Sequence, residues 1–183
     1  MKNFKSLIFL SLGSNRGDRV DNISRAIILL RQSENIEVIK ISGLYETAAL
    51  YLTEQADFIN CAAELETTLP PLGLLAACQT IEKQLGRRKG RRYGPRVIDL
   101  DILSYGPRII DLPELMIPHP RLAERRFVLE PLREISPRWR HPVLKKSAAR
   151  LLKELGKKQR VTYSGSVSEP LVSCSLLNDF KKY

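Results

Sequence analysis

Residues 97–103 read Val-Ile-Asp-Leu-Asp-Ile-Leu, two carboxylates two positions apart inside an otherwise aliphatic run. In an extended chain alternate side chains share a face, so Asp99 and Asp101 stand together while Leu100 points the other way. A bare Asp-x-Asp most often marks a solvated strand end. Here Val97, Ile98, Ile102 and Leu103 flank the pair, which predicts a buried strand, and buried acids need a partner. Two neighbouring carboxylates repel each other unless a cation lies between them. His119 and His141 are the only histidines, and Cys61, Cys78 and Cys174 form no Cys-x-x-Cys pair. A histidine- or cysteine-based metal site and a disulfide framework are thereby excluded. The fitting partner is a hard cation such as Mg²⁺, as one or two ions, in the manner of phosphoryl-type transfer.

The stretch just before this strand supports that chemistry. Residues 87–92 are Arg-Arg-Lys-Gly-Arg-Arg, and Arg96 lies three positions before Asp99. A triphosphate needs both halves of such an arrangement, metal for the bridging oxygens and guanidinium groups for the others. Gly86, Gly90 and Gly94 give the loop freedom to close over a ligand. The net charge of +10 is local: a second basic stretch, 138–160, holds nine Lys or Arg against Glu154 alone. We read that second stretch as the solvated face of a helix. Neither a P-loop nor a Gly-x-Gly-x-x-Gly fingerprint occurs, nor a nucleophile elbow or a His-Glu-x-x-His zinc motif.

A length of 183 residues suits one domain with a substantial core. Lys5–Leu12 predicts a strand, with Ser14-Asn15 as turn and helix-cap signals, and 21–31 an amphipathic helix. Strands are expected over 36–45 and 58–66, with a loop over 47–56 between them. Residues 72–85 place Leu74, Cys78, Ile81 and Leu85 on one helical stripe, stopped by Gly86. With the strand at 97–103 the order is βαββαβ, the ferredoxin-like signature. The expected class is therefore α+β, an antiparallel sheet with helices packed on it. A loop punctuated by Pro113, Pro118 and Pro120 follows, then extra C-terminal helices over 127–134 and 144–155. The stretch from Gly156 onward has no clear pattern and is expected to be a loosely attached tail. The apolar run Leu7–Leu12 is too short for a membrane span, and a cytoplasmic location is expected.

Several spaced motifs together resemble the hydroxymethyldihydropterin pyrophosphokinase family. Arg92 to Leu103 fits its basic-x-Gly-Pro-Arg-x-x-Asp-Leu-Asp signature throughout. Leu12-Gly-Ser-Asn15, Tyr45-Glu-Thr47, Gln55-Ala-Asp-Phe-Ile-Asn60, Ile81-Glu82, Gly86-Arg87, Ile117-Pro-His-Pro120, Arg125 and Phe127-Val-Leu-Glu-Pro-Leu132 follow in order. The resemblance runs from Phe9 to about Pro142. It implies pyrophosphoryl transfer from ATP to a pterin alcohol in folate biosynthesis. Asp99 and Asp101 would be magnesium ligands, and Arg87 and Arg96 would stabilise charge on the transferring group. Thr47, Leu50, Phe58, Asn60, Tyr93 and Phe127 would hold the pterin. Gln79, Glu82, Arg96, Ile102, His119 and Arg125 would hold ATP, with Gln79 and Glu82 facing the same way on one helix. Residues 1–160 would form the pyrophosphokinase domain and 161–183 a tail. The loop Thr47-Ala-Ala-Leu-Tyr51 departs from the family's usual prolines and glycine, and the arginine loop is about one residue short.

No obligate protein partner is implied, and a monomer is expected. Two other readings fit fragments of the pattern. A nucleic-acid-binding ferredoxin-like module would use the basic charge, yet its aromatic strand motif is missing. A metal-dependent transferase acting on a sugar nucleotide would use Asp-x-Asp, yet leaves Phe58, Asn60, Arg96 and Phe127 unexplained.

Overall fold

The largely apolar run Ser6-Leu-Ile-Phe-Leu-Ser-Leu-Gly-Ser14 builds β1 (Ser6–Ser14), which is buried from Ile8 onward and paired along both edges. The structure, a computed structural model, describes residues 6–49, 54–88, 94–156 and 159–167. After β1 come α1 (Arg19–Arg31), β2 (Ile36–Ile41), β3 (Leu44–Thr47), β4 (Phe58–Thr67), α2 (Pro71–Gln84) and β5 (Asp99–Tyr105). A short hairpin of β6 (Ile110–Leu112) and β7 (Leu115–Ile117) precedes α3 (Arg126–Ile135), α4 (Ala148–Leu155) and β8 (Val161–Gly165). The main sheet runs β5-β1-β4-β3-β8, with β2 beside β4 farther along, and its pairings are antiparallel. This is the expected ferredoxin-like arrangement, with two additions to the main sheet, while the β6–β7 hairpin takes up part of the stretch expected as a loop.

The first addition is a break. The strand predicted over 36–45 is interrupted at Ser42-Gly43. Ser42 Oγ accepts the Ala62 N–H at 2.9 Å and its hydroxyl donates to the Gly43 carbonyl at 2.8 Å. Gly43 lies so close to the Tyr163 ring that an added Cβ would sit 2.3 Å from the ring carbon Cε2. Its N–H donates to both carboxylate oxygens of Glu134 on α3, at 3.0 and 3.1 Å, and the Tyr45 hydroxyl donates to the same group at 2.8 Å. The second addition is β8, which lies beyond the boundary expected at residue 160. It pairs with β3, setting Tyr163 opposite Tyr45 with the rings edge to face at 5.7 Å. Residues 168–183 lie outside the described residues.

Period-2 alternation divides the sheet into two faces. On one, Leu10, Leu12, Cys61, Leu65, Leu100 and Ile102 pack against Ile23, Ile27 and Leu30 of α1 and Leu74, Cys78 and Ile81 of α2. Each fully buried Leu or Ile there is worth roughly 1.5–3 kcal/mol. On the other, Phe9, Ala62 and Leu103 are covered by Val128, Leu129 and Leu132 of α3, Leu151 and Leu152 of α4, and Trp139. This second covering is incomplete, because α3 begins only at Arg126. Among the described residues no α-helix covers the sheet beyond that point. Burial pushes the Cys61 and Cys78 thiols up to about 12, so both are inert fillers of the core.

Candidate active site

The bare end of the second face is a row of cross-strand partners. Asp99 on β5 stands opposite Gly13 on β1, and Gly13 opposite Asn60 on β4. Directly opposed residues in an antiparallel pair project to the same side, so one carboxylate and one amide flank a floor that has no side chain. Asp101 lies opposite Ser11, one step along. Two inter-strand steps separate Asp99 from Asn60, about 10 Å. Over this floor lies a cavity of about 200 Å³. Gly13 is required by close approach, since a Cβ there would come 2.9 Å from Asn60 Oδ1.

One end of the cavity is flat and weakly polar. Phe58 and Phe127 are half-buried and line it, while buried Asn60 donates from Nδ2 to Thr47 Oγ1 at 2.9 Å. The other end is ionic. Asp99 Oδ1 accepts from Arg87 Nη1 at 2.6 Å, and Asp99 Oδ2 from Arg96 Nη1 at 2.5 Å. Arg87 also donates to Glu82, whose Oε1 accepts the Leu100 N–H at 2.8 Å, between the two aspartates. Burial pushes the Glu82 carboxyl up, against these hydrogen bonds.

Asp101 is less well compensated. Its Oδ2 is 3.6 Å from Arg125 Nη1 and 3.9 Å from His119 Nε2, both beyond hydrogen-bond reach. Its side chain keeps 36% exposure through the cavity mouth yet is ringed by protein. Burial, with the Asp99 charge beside it, pushes its carboxyl up to about 7. His119 accepts the Arg121 N–H at Nδ1, 3.1 Å away, so its proton sits on Nε2. Burial first, and Arg125 second, lower it to about 4, which keeps it neutral. Arg125 Nε is the one buried side-chain nitrogen or oxygen without a partner among the described residues. An orphaned guanidinium nitrogen beside a cavity is a vacant donor for an anionic ligand.

Asn15 ties the walls together. Its N–H donates to the Arg96 carbonyl at 3.1 Å and its Oδ1 accepts the Arg96 N–H at 2.7 Å. Its Nδ2 reaches Gln55 Oε1 and the Ala56 carbonyl, at 3.1 and 3.3 Å. Ser14-Asn15 is not the helix cap expected from sequence; the cap of α1 is Asp18, whose side chain accepts the Asp21 N–H. The Asp18-x-x-Asp21 spacing is the signal that would have found it.

The structure brings Thr47, Phe58, Asn60, Arg96, Asp99, Asp101, His119, Arg125 and Phe127 to one cavity. Arg87 and Glu82 adjoin it through Asp99 and Leu100. Two expected residues fall elsewhere. Gln79 is exposed on α2 and does not share the orientation of Glu82, which is turned in against β5. Ile102 packs in the core with Leu10, because strand alternation sends it to the face opposite Asp101. Leu50 and Tyr93 lie outside the described residues. Gly13, Ser11 and Gln55 also line the cavity without having been singled out as site residues from sequence.

Among the described residues no group of three or more His, Cys, Asp or Glu is gathered as a metal cage. The Asp99–Asp101 pair offers hard oxygen donors on one face, which suits a cation that takes its remaining ligands from water and phosphate.

The profile of the 7,8-dihydro-6-hydroxymethylpterin-pyrophosphokinase (HPPK) family matches residues 9–137. The chain belongs to this family. It is 45% identical over 130 residues to 2-amino-4-hydroxy-6-hydroxymethyldihydropteridine pyrophosphokinase of Bacillus subtilis, covering 71% of this chain and 78% of that one. With the folic acid synthesis protein fol1 of Schizosaccharomyces pombe it shares 38% identity over 170 residues, 93% of this chain but 23% of the yeast protein. Among solved structures it is similar to the Plasmodium falciparum HPPK-DHPS protein, with a TM-score of 0.67 and 16% identity, over 84% of this chain and 46% of that one. The chain thus spans about a quarter of the yeast relative and under half of the Plasmodium chain. The match ends at residue 137, so α4 and β8 lie beyond it. No helix among the described residues is long and apolar enough to cross a membrane.

Proposed function

We propose that the chain transfers a pyrophosphoryl group from ATP to 6-hydroxymethyl-7,8-dihydropterin, releasing AMP, in folate biosynthesis. The observation that carries this reading is the two-ended cavity on one sheet face, amide and aromatic at one end and carboxylate and guanidinium at the other. A flat bicycle held by Phe58 and Phe127, its edge read by Asn60 and Thr47, would extend its hydroxymethyl group across Gly13 towards Asp99 and Asp101. Family membership and the name of the Bacillus relative support the same chemistry.

Asp99 and Asp101 would hold magnesium, two ions in this reading, which supplies charge neutralisation at bridging phosphate oxygens. Arg96, Arg125 and the Nε2–H of His119 would take the remaining phosphate oxygens, and Arg87 would join them from beside Asp99. The hydroxymethyl oxygen forms its bond to the β-phosphorus as the bond from that phosphorus to the α,β-bridging oxygen breaks. The electron pair leaves with AMP and the alcohol proton passes to solvent. His119 is not the base, since the nitrogen it turns to the cavity already carries the proton. Positioning and electrostatics therefore carry the rate. We take the enzyme to be a cytoplasmic monomer that needs neither a protein partner nor nucleic acid.

The deciding experiment measures AMP release from ATP and Mg²⁺ with and without the pterin alcohol, weighing the pterin product. Pterin-dependent AMP and a product heavier by a pyrophosphoryl group are expected. Folded, magnesium-loaded protein that releases no pterin-dependent AMP would overturn the reading.

Two further results are expected. Gly13→Ala pushes the Asn60 amide off its seat, so pterin binding weakens about tenfold, the value of one well-made hydrogen bond. Nucleotide binding stays unchanged, as titration with a fluorescent ATP analogue would show; equal loss of both ligands would sink the assignment of Asn60. The second concerns pH. Because the Asp101 carboxyl is pushed up to about 7, it holds a proton below that pH which a cation must displace. Manganese affinity of the nucleotide-free protein should rise with pH up to about 7 and level off above it, with one proton released per ion at pH 6. A flat profile counts against Asp101 as a ligand.

A further inference from the structure

The two aspartates are treated differently by their neighbours. Asp99 has both carboxylate oxygens engaged by guanidinium groups, Oδ1 by Arg87 and Oδ2 by Arg96. Asp101 has no cation within hydrogen-bond distance among the described residues. Around them Asp99, Asp101 and Glu82 are balanced by Arg87, Arg96 and Arg125. Among the described residues, three carboxylates against three guanidiniums leave no excess negative charge to draw in a free dication. Each Asp99 oxygen keeps a second lone pair, but a dication arriving there meets two guanidinium charges already seated on the carboxylate, and binds well only as they move away.

We infer that Arg87 and Arg96 serve as a built-in counter-cation at Asp99, which a divalent cation must displace, so that metal entry frees both guanidiniums for the nucleotide's phosphates. The inference rests on the proposed function and adds to it an order of events and a role for Glu82. Glu82 is itself fixed by the Leu100 N–H, on the strand residue between the two aspartates. It therefore keeps hold of Arg87 when Asp99 lets go, and swings the guanidinium instead of losing it to solvent. Glu82 is thus a positioning residue for Arg87. Metal without nucleotide exchanges one cation for another at little gain. Metal with nucleotide gains a phosphate partner for each displaced arginine. Because coupling between two ligands is reciprocal, each then strengthens the other's binding.

The test is manganese binding to the intact protein, read from the free-ion electron paramagnetic resonance signal, without nucleotide and then with ATP. Wild-type protein should bind weakly alone and much more tightly with ATP. Arg87→Met and Arg96→Met should each bind manganese about tenfold more tightly than wild type without nucleotide, and show a smaller further gain when ATP is added. Both side chains are part-exposed and no backbone hydrogen bond among the described residues depends on them, and a melting curve of each variant confirms its fold. Glu82→Gln keeps an acceptor for the Leu100 N–H while weakening the hold on Arg87, and should raise the ATP concentration needed to tighten manganese. Unchanged or weaker manganese binding by both arginine variants, with the wild-type response to ATP intact, overturns the exchange alone. Absence of manganese binding by wild-type protein even with ATP overturns the metal assignment, and this inference with it.

Discussion

Asp101→Asn is expected to lower turnover about 100-fold or more, the loss typical of removing one electrostatic contact at a reacting centre. The same substitution should make the free protein more heat-stable above pH 7. The reason lies in the carboxyl pushed up to about 7 from an ordinary 3.8. Between those values the folded chain keeps a proton that the unfolded chain has released, so stability falls as pH rises from about 4 through about 7. Above that range the folded protein carries a charge its surroundings disfavour, and asparagine removes it. At pH 4 both folded forms are neutral at this position and the unfolded wild-type carboxyl is only part-ionised, so the two should melt nearly alike. A residue whose loss harms turnover and helps stability is held for chemistry, and melting curves at pH 4 and pH 8 beside an AMP assay read out both halves. Near-normal turnover would remove the metal assignment.

Arg96→Ala should lower turnover by about 10²- to 10³-fold and leave pterin affinity nearly untouched. Its guanidinium belongs to the ionic end of the cavity, while its backbone is gripped by Asn15 whatever the side chain. Truncation therefore deletes a charge without loosening the loop that bears it. The measurement is kcat from AMP release against pterin binding by fluorescence. A variant that loses pterin affinity and keeps its turnover number would show that Arg96 shapes the pocket and does not act on the transferring group.

What could be read in the sequence follows from the range of each signal. The aspartate pair needed only strand alternation, and that holds: Asp99 and Asp101 face the cavity while Leu100 and Ile102 face the core. The same rule puts the Ile102 side chain on the core face, away from the cavity. The stripe Leu74, Cys78, Ile81 and Leu85 is buried as its spacing predicts. The break between β2 and β3 could not be read locally, because it depends on Tyr163 lying against Gly43 from more than a hundred residues away. Strands of three residues, as in β6 and β7, are too short to show a period. The role of Asn15 was hidden for a similar reason, since its partners come from the loop after β3 and the loop before β5.

The strand β8 has a bearing on solubility as well as on shape. It lies outside the span matched by the family, as do Trp139, Ala148, Leu151 and Leu152 of the second core. A chain cut at residue 137 would keep every residue named in the cavity and yet lose the strand that occupies the outer hydrogen bonds of Leu44–Thr47. β3 would then join β2, with its partly exposed Ile39, as an open row of N–H and C=O groups. Such a row is a template for another chain to pair with. The expected fate of that shortened protein is self-association in crowded solution, with a catalytic apparatus intact in outline but lost to the precipitate.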